Sequence, residues 1–346
     1  MHFDSYIQTR LSTLITTLLI LFSLLLAGCN SNTQASTETL PPSPVNVQLS
    51  WVHNIEFAGF YMAEEKEYFG AENLAVTLKP QVFDQLVNPI DEVLAGKADF
   101  GVTGGSSLLL ARAEGKPVVA IAALYQRNPL VLISLAEKNI TRPQDLVGKT
   151  VLLDHGSVDS VIYTALIAQE QGIESEQVKF VQKTTFGIQP LLDGDADVID
   201  GFINNEPVQL EQQGHKVNLI IPANYGLDMY ANVIFTTEEM IAQRPDLVER
   251  FVRASVRGIQ SAIEDPKSAV TMTTARNSDL NFESEVESMN RSLPLFNPAG
   301  SKPGLMTPAI WQGGYQILLD QGTLKDPIEL EKAYTLSFLT KVYDNQ

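Results

Sequence analysis

Four kinds of side chain in this sequence could do chemistry on a small molecule: an indole, several phenols, a few amides and a few carboxylates. Trp51 follows the alternating apolar positions Val45, Val47 and Leu49, which places it at the carboxyl end of a strand. His53-Asn54 breaks that period. Phe57, Ala58, Tyr61 and Met62 then recur at helical spacing, with Asn54 placed to cap the first turn. In open α/β sheets ligands lie in the crevice at the carboxyl ends of the strands. An indole beside an amide at such a point suits a planar, hydrogen-bonding ligand.

Other candidates recur at strand ends. Gly104-Gly105-Ser106-Ser107 follows an apolar strand and opens a helix, where free N–H groups could hold an anion; it lacks a Walker lysine. Gly105 and Ser106 are therefore read as contacts to a neutral polar ligand, with Ser106 as a simple N-cap the alternative. Asp154-His155-Gly156-Ser157 sets an acid, an imidazole and a hydroxyl side by side. Catalytic triads are assembled in space rather than from neighbours, so this is read as a strand-to-helix turn capped by Ser157, with Asp154 free to meet ligand donors. Glu206 follows a strand and precedes Pro207, which restricts it toward extended backbone. Its carboxylate there could accept two N–H bonds from an aminopyrimidine or amide edge. Phe57, Tyr61, Tyr125, Tyr225 and Tyr230 offer ring faces, and Gln126 and Asn205 offer amides. HExxH, CxxC and GxSxG patterns are absent, and the four His are scattered. No catalytic set, metal site or cofactor is expected, and His53 is read as a loop residue.

The elements that must position these residues alternate. Strands are expected at 45–51, 74–78, 98–103 and 118–124. The rhythm restarts with strands at 130–135, 150–153, 178–182, 196–204, 217–221 and 231–235. Helices between them imply mostly parallel sheets with right-handed crossovers. The stretch 238–264 reads as one long amphipathic helix, and the remainder is helical apart from 297–304. Two α/β units of similar rhythm imply two lobes with a cleft between them, where small-molecule sites commonly lie.

The formal net charge of −17 argues against a nucleic-acid partner and against adsorption to anionic lipid. Leu11 to Leu26 is apolar, follows Arg10, and closes on Leu26-Ala27-Gly28-Cys29. It reads as an export signal (1–28) and resembles the bacterial lipobox, in which the cysteine becomes acylated; an uncleaved membrane anchor is the alternative. Cys29 is the only cysteine, so no disulfide is expected. Residues 29–44, rich in Ser, Thr, Asn and Pro, read as a tether.

From Val47 to about Tyr343 the chain resembles the NMT1/THI5-like family of extracytoplasmic solute-binding proteins. The resemblance is carried by Leu49-Ser50-Trp51 with Asn54, Phe57-Ala58-Gly59-Phe60-Tyr61, Glu67-Tyr68-Phe69 and Gly96 through Val102. Ala111 through Val118, Asp145 through Lys149, Asn205-Glu206 and Asn224-Tyr225-Gly226-Leu227 continue it. It implies a type II periplasmic-binding-protein fold. Lobe I would comprise 45–130 and 232–346 and lobe II 131–231, with hinge strands near 126–132 and 230–235 and the helical tail returning to lobe I. It further implies a monomer that closes on a flat heteroaromatic and passes it to an ABC permease. The cargo expected is a thiamine pyrimidine precursor of the formylaminopyrimidine or hydroxymethylpyrimidine type, with riboflavin the alternative. Trp51 would stack on the ring and Glu206 would bind its amino group. Pyrimidine synthases of the same fold carry a cysteine-rich iron site. Here Leu227-Asp228-Met229-Tyr230 stands at the matching stretch, without cysteine, so an enzyme is not expected, and neither is a sensory module.

Overall fold

The computed structural model describes residues 41–153 and 158–344. The export segment, Cys29 and most of the tether lie outside the described residues, as do Asp154 and Ser157. Among the described residues no helix is long and apolar enough to cross a membrane.

Among the described residues ten strands follow one another: β1 (Ser43–Gln48), β2 (Leu74–Lys79), β3 (Phe100–Thr103), β4 (Val118–Ala123), β5 (Leu130–Leu135), β6 (Thr150–Leu153), β7 (Lys179–Gln182), β8 (Val198–Phe202), β9 (Val217–Ile220) and β10 (Val233–Thr237). They form two five-stranded sheets, β2-β1-β3-β10-β4 and β7-β6-β8-β5-β9. β1 starts two residues earlier than expected and takes Ser43 and Pro44 from the tether. Pro44 fits because the Ser43 N–H already bonds Asn73 in the direction of β2, while the side that Pro44 would serve has no strand neighbour until Val47.

The sheets are not uniformly parallel. In each, one strand runs against its neighbours: β10 against β3 and β4, and β5 against β8 and β9. Both are the first strand laid down after the chain changes lobe: β5 begins the second sheet and β10 completes the first. The crossings span 124–129 and 221–232. Residues 130–132 and 233–235, expected in the hinges, already belong to ladders. The crossings are joined by the Leu124 N–H bonding the Asn232 carbonyl at 2.9 Å. The tail returns to the first sheet. Thr335 donates to the Ala120 carbonyl and Ala120 to that of Ala333, both at 2.9 Å, which covers the free edge of β4.

The expected helix 238–264 is two helices, Glu238–Gln243 and Pro245–Glu264. Pro245 has no N–H to continue the first and its fixed φ suits the first turn of the second. The second helix carries Phe251, whose ring stacks 4.0 Å from Phe100 and 5.9 Å from Phe69, with Phe60 at 6.2 Å. Burying each such ring is worth about 1.5–3 kcal/mol. The same helix lies directly on Ala58–Glu65, the helix that follows Trp51. A Cβ on Gly258 would sit 2.1 Å from the Gly59 carbonyl oxygen, so only glycine allows this approach.

Gly258→Ala should therefore destabilise the protein by about 1–3 kcal/mol. Gly70→Ala, in a helix with open space around it, should be neutral or stabilising. Thermal unfolding of both variants checks the contrast; equal melting temperatures would contradict it.

Candidate ligand site at the interlobe seam

The loop between β1 and the helix Ala58–Glu65 is held by hydrogen bonds at Ser50, Trp51, His53 and Asn54. The Trp51 carbonyl accepts from the Gln81 N–H at 3.1 Å, and the His53 carbonyl from Asn277 Nδ2 at 3.0 Å. Asn54 caps a short 3₁₀ turn, Ile55–Phe57, its Oδ1 accepting from the Glu56 N–H at 2.9 Å. Ser50 Oγ donates to Glu56 Oε1 at 2.9 Å, and Asn232 Nδ2, in the second crossing, donates to the same oxygen. The Ile55 N–H faces the Glu285 carboxyl and partly offsets the effect of its burial. A backbone fixed at so many points holds the Trp51 indole in one place. The indole is half-buried, 5.5 Å from Phe83 of the first lobe and 5.0 Å from Phe186 of the second, edge-on to both. Trp51 thus stands where the lobes meet.

A polar contact closes the seam elsewhere. Asn204, just past β8, donates from Nδ2 to the Tyr125 hydroxyl at 3.0 Å and to Ser292 Oγ at 2.8 Å. Its Oδ1 is buried without a partner. Ser292 lies on the helix Phe282–Phe296, one face of which buries Glu285, Ser288 and Ser292 at helical spacing. Arg291 of that helix reaches the Ile203 carbonyl at 3.3 Å and pairs with Glu211 of the second lobe. Glu56 and Glu285 are both buried, and Glu285 Oε2 has no partner. Burial pushes each acid up to about 7; for Glu56 the bonds from Ser50 and Asn232 offset part of the rise. None of Glu56, Asn204, Glu285, Ser292, Phe83 and Phe186 was singled out from the sequence. Glu56 left one trace, a charge inside an apolar run; Glu285 looked like any acid of an amphipathic helix.

The residues read from the sequence are placed unevenly. Tyr125 meets Asn204 at the seam. Tyr61 is fully buried, its hydroxyl 2.9 Å from His53 Nδ1 and its ring under the Arg276 guanidinium at 4.5 Å. Phe57 is fully buried in the first lobe's core and presents no free ring face. Gln126 is committed to the tail: Nε2 donates to the Phe296 and Lys302 carbonyls and Oε1 accepts from Ser301 Oγ. Tyr230 packs on Trp311 and its hydroxyl accepts from the Thr307 N–H at 2.7 Å. The Gly105 N–H bonds the Tyr230 carbonyl at 2.8 Å, so the first donor of that helix is taken. Ser106 is not the cap; Gly104 holds that position and Ser106 is buried in the first turn. Tyr225 is half-buried in the second lobe, and its carbonyl accepts from Gln169.

Glu206 corrects an expectation. It is not extended but opens the helix Glu206–Gln212, where Pro207 costs nothing because first-turn N–H groups have no helical partner. Its Oε2 accepts from the Phe202 N–H at 2.8 Å and its Oε1 from exposed Asn205 at 3.0 Å. Burial raises its pKa, opposed by the Phe202 N–H and by nearby Lys183. Lys183 itself is buried against Asp200 at 3.1 Å. Among the described residues no three His, Cys, Asp or Glu are grouped to hold a metal. Two surface grooves of about 650 and 450 Å³ meet at Tyr68 and Arg257 on the first lobe. Neither touches Trp51 or Asn204, so the ring and hydrogen-bond contacts between lobes locate the site better than concavity does.

Two α/β lobes joined by two crossings, meeting over an indole and a polar seam, define a two-lobed solute-binding architecture. The chain matches the family described as NMT1/THI5 like over residues 54–269, and it belongs to that family. It is 30% identical over 343 residues to the riboflavin-binding protein RibY of Chloroflexus aurantiacus, covering 93% of this chain and 97% of the relative. It is 29% identical over 326 residues to a formylaminopyrimidine-binding protein of Halalkalibacterium halodurans (92% and 96%). A 4-amino-5-hydroxymethyl-2-methylpyrimidine phosphate synthase of Legionella pneumophila is 30% identical over 261 residues (74% and 80%). The ligand-binding component of an ABC-type import system from Staphylococcus aureus superposes with a TM-score of 0.66 at 12% identity (87% and 99%). That likeness fixes the fold as that of the periplasmic binding proteins.

Protonation of the buried acids gives a testable sign. Glu56 and Glu285 rise from 4.5 to about 7 on folding, so between those values the native state holds protons the unfolded chain has lost. Their contribution to stability is full below about 4.5 and is lost as pH rises through 7. His53, lowered by burial and then by Arg276, acts in the opposite sense. Glu285→Gln should flatten the fall in melting temperature between pH 5 and pH 8 and raise it at pH 8. Parallel pH profiles for variant and wild type would refute this.

Proposed function

We propose that this protein is the extracytoplasmic binding component of an ABC importer, held to the membrane by acylated Cys29, and that its cargo is a flat nitrogen heterocycle. One observation carries the reading: Trp51 stands at the junction of the two lobes, fixed by its loop and half-open, where a ring can stack as the lobes close. The unpartnered acceptors Asn204 Oδ1 and Glu285 Oε2 suit ligand N–H donors. A thiamine pyrimidine precursor is the cargo of first choice, supported by the formylaminopyrimidine-binding relative. In that reading the ligand's amino group takes over Glu206 from Phe202 and Asn205. Riboflavin is the second reading, supported by the relative RibY and by three rings, rather than one, at the mouth of the seam. Binding is favoured over synthase chemistry because the only cysteine, Cys29, belongs to the N-terminal segment. A monomer delivers its cargo to a permease and needs no cofactor.

Calorimetry of the protein lacking residues 1–28 against formylaminopyrimidine, hydroxymethylpyrimidine and riboflavin tests this. Trp51→Ala should weaken the bound member at least about tenfold, the size of a lost stacking partner plus its buried area, with little change in melting temperature. An unchanged dissociation constant removes the stacking role.

A further inference from the structure

We propose that the smaller groove on the first lobe, between the helix Pro245–Glu264 and the loop 297–304, is a second binding site, for a small phosphate or carboxylate. Its volume of about 450 Å³ suits a metabolite-sized molecule. Two cations line it from different elements, Arg257 of the helix and Lys302 of the loop. Nearby Arg250, Arg253 and Lys341 are held in ion pairs, whereas among the described residues Arg257 and Lys302 make none. Each lies over a ring instead. The guanidinium is 4.1 Å from the Tyr68 centroid and the ammonium 4.7 Å from that of Tyr343. A guanidinium stacked in this way keeps its N–H edge for an acceptor, and the paired oxygens of a phosphate or carboxylate match that edge.

The supports of both cations are fixed. The Tyr68 hydroxyl lies 3.0 Å from Ser261 Oγ, and whichever of the two accepts keeps its own hydrogen for a ligand oxygen. The Tyr343 hydroxyl donates to the Pro303 carbonyl. Gln126, in the first crossing, holds the loop through the Lys302 carbonyl at 2.8 Å and Ser301 Oγ at 2.7 Å. Glu264 also lines the groove, its carboxylate accepting from Gln260 Nε2 at 2.6 Å, so two cations stand against one acid. That balance is positive in a chain whose net charge is −17. The backbone is strained on both sides. Among the described residues four non-glycine positions take left-handed φ. Asn73 and Asn139 are of a type that tolerates it; Glu67 at 57° and Ala299 at 54° are not. Glu67 immediately precedes Tyr68, and Ala299 lies within the loop that carries Lys302. Such strain collects where a fold holds groups for binding.

The experiment titrates the protein lacking residues 1–28 with inorganic phosphate and, separately, with citrate, by calorimetry at an ionic strength held constant with sodium chloride. Saturable binding of at least one of the two anions is expected, with phosphate or citrate alone identifying the class. Arg257→Gln and Lys302→Gln should each raise that dissociation constant about tenfold, the size of a lost charge-assisted hydrogen bond. Lys267→Gln, an exposed cation outside the groove, should leave it unchanged. Melting temperatures in chloride alone confirm folding; Lys302 is exposed, so its variant keeps the test open should Arg257→Gln fail to fold. No saturation by either anion below about 10 mM, binding that survives both groove substitutions, or an equal loss in Lys267→Gln overturns the proposal.

Discussion

Glu56 is the point on which the two halves of this molecule depend. Its carboxyl group takes Ser50, next to Trp51, and Asn232, in the second crossing. The Asn232 carbonyl in turn receives the Leu124 N–H from the first crossing. One buried acid therefore links the loop that presents the indole to both chain segments between the lobes. An unpaired buried carboxylate would be costly. Here the cost is met by two side-chain donors and by a pKa near 7, which leaves the group largely neutral in mildly acidic surroundings.

Much of the fold was legible because it rests on periodicity. The strand positions follow from apolar runs and alternation, and Asn54 caps where expected. What could not be read was direction. An apolar run such as 130–135 or 233–237 looks the same whichever way it lies in a sheet, so the two reversed strands were invisible. The long apolar stripe runs on across Arg244-Pro245 and hides the break that the proline makes between the two helices.

The site was legible only in part, and the pattern of failure is physical. Trp51 lies just past the strand end, where its place in the sequence put it, and its ring meets Phe186 of the second lobe. Tyr125, Gln126 and Tyr230 share strand-end positions, yet only Tyr125 meets the Asn204 seam; Gln126 is drawn off by the tail and Tyr230 by Trp311. The choice among them is made by segments more than 70 residues away, about which local sequence carries no information. Asn204, Glu285 and Ser292 were missed for the same reason, since each is ordinary in its own element and becomes special only through long-range contact.

The seam joins the lobes by two kinds of force, and they do different work. Hydrogen bonds from Asn204 to Tyr125 and Ser292 are directional and fall off steeply with misalignment. They specify one relative placement of the lobes. The ring contacts of Trp51 with Phe83 and Phe186, both edge-on at 83° and 75°, are less directional and tolerate sliding. A molecule built this way can hold its closed geometry through the polar side while the aromatic side accommodates the outline of the cargo. The polar side also contains Glu56 and Glu285, each pushed up to about 7 by burial, so it responds to pH while the ring contacts do not.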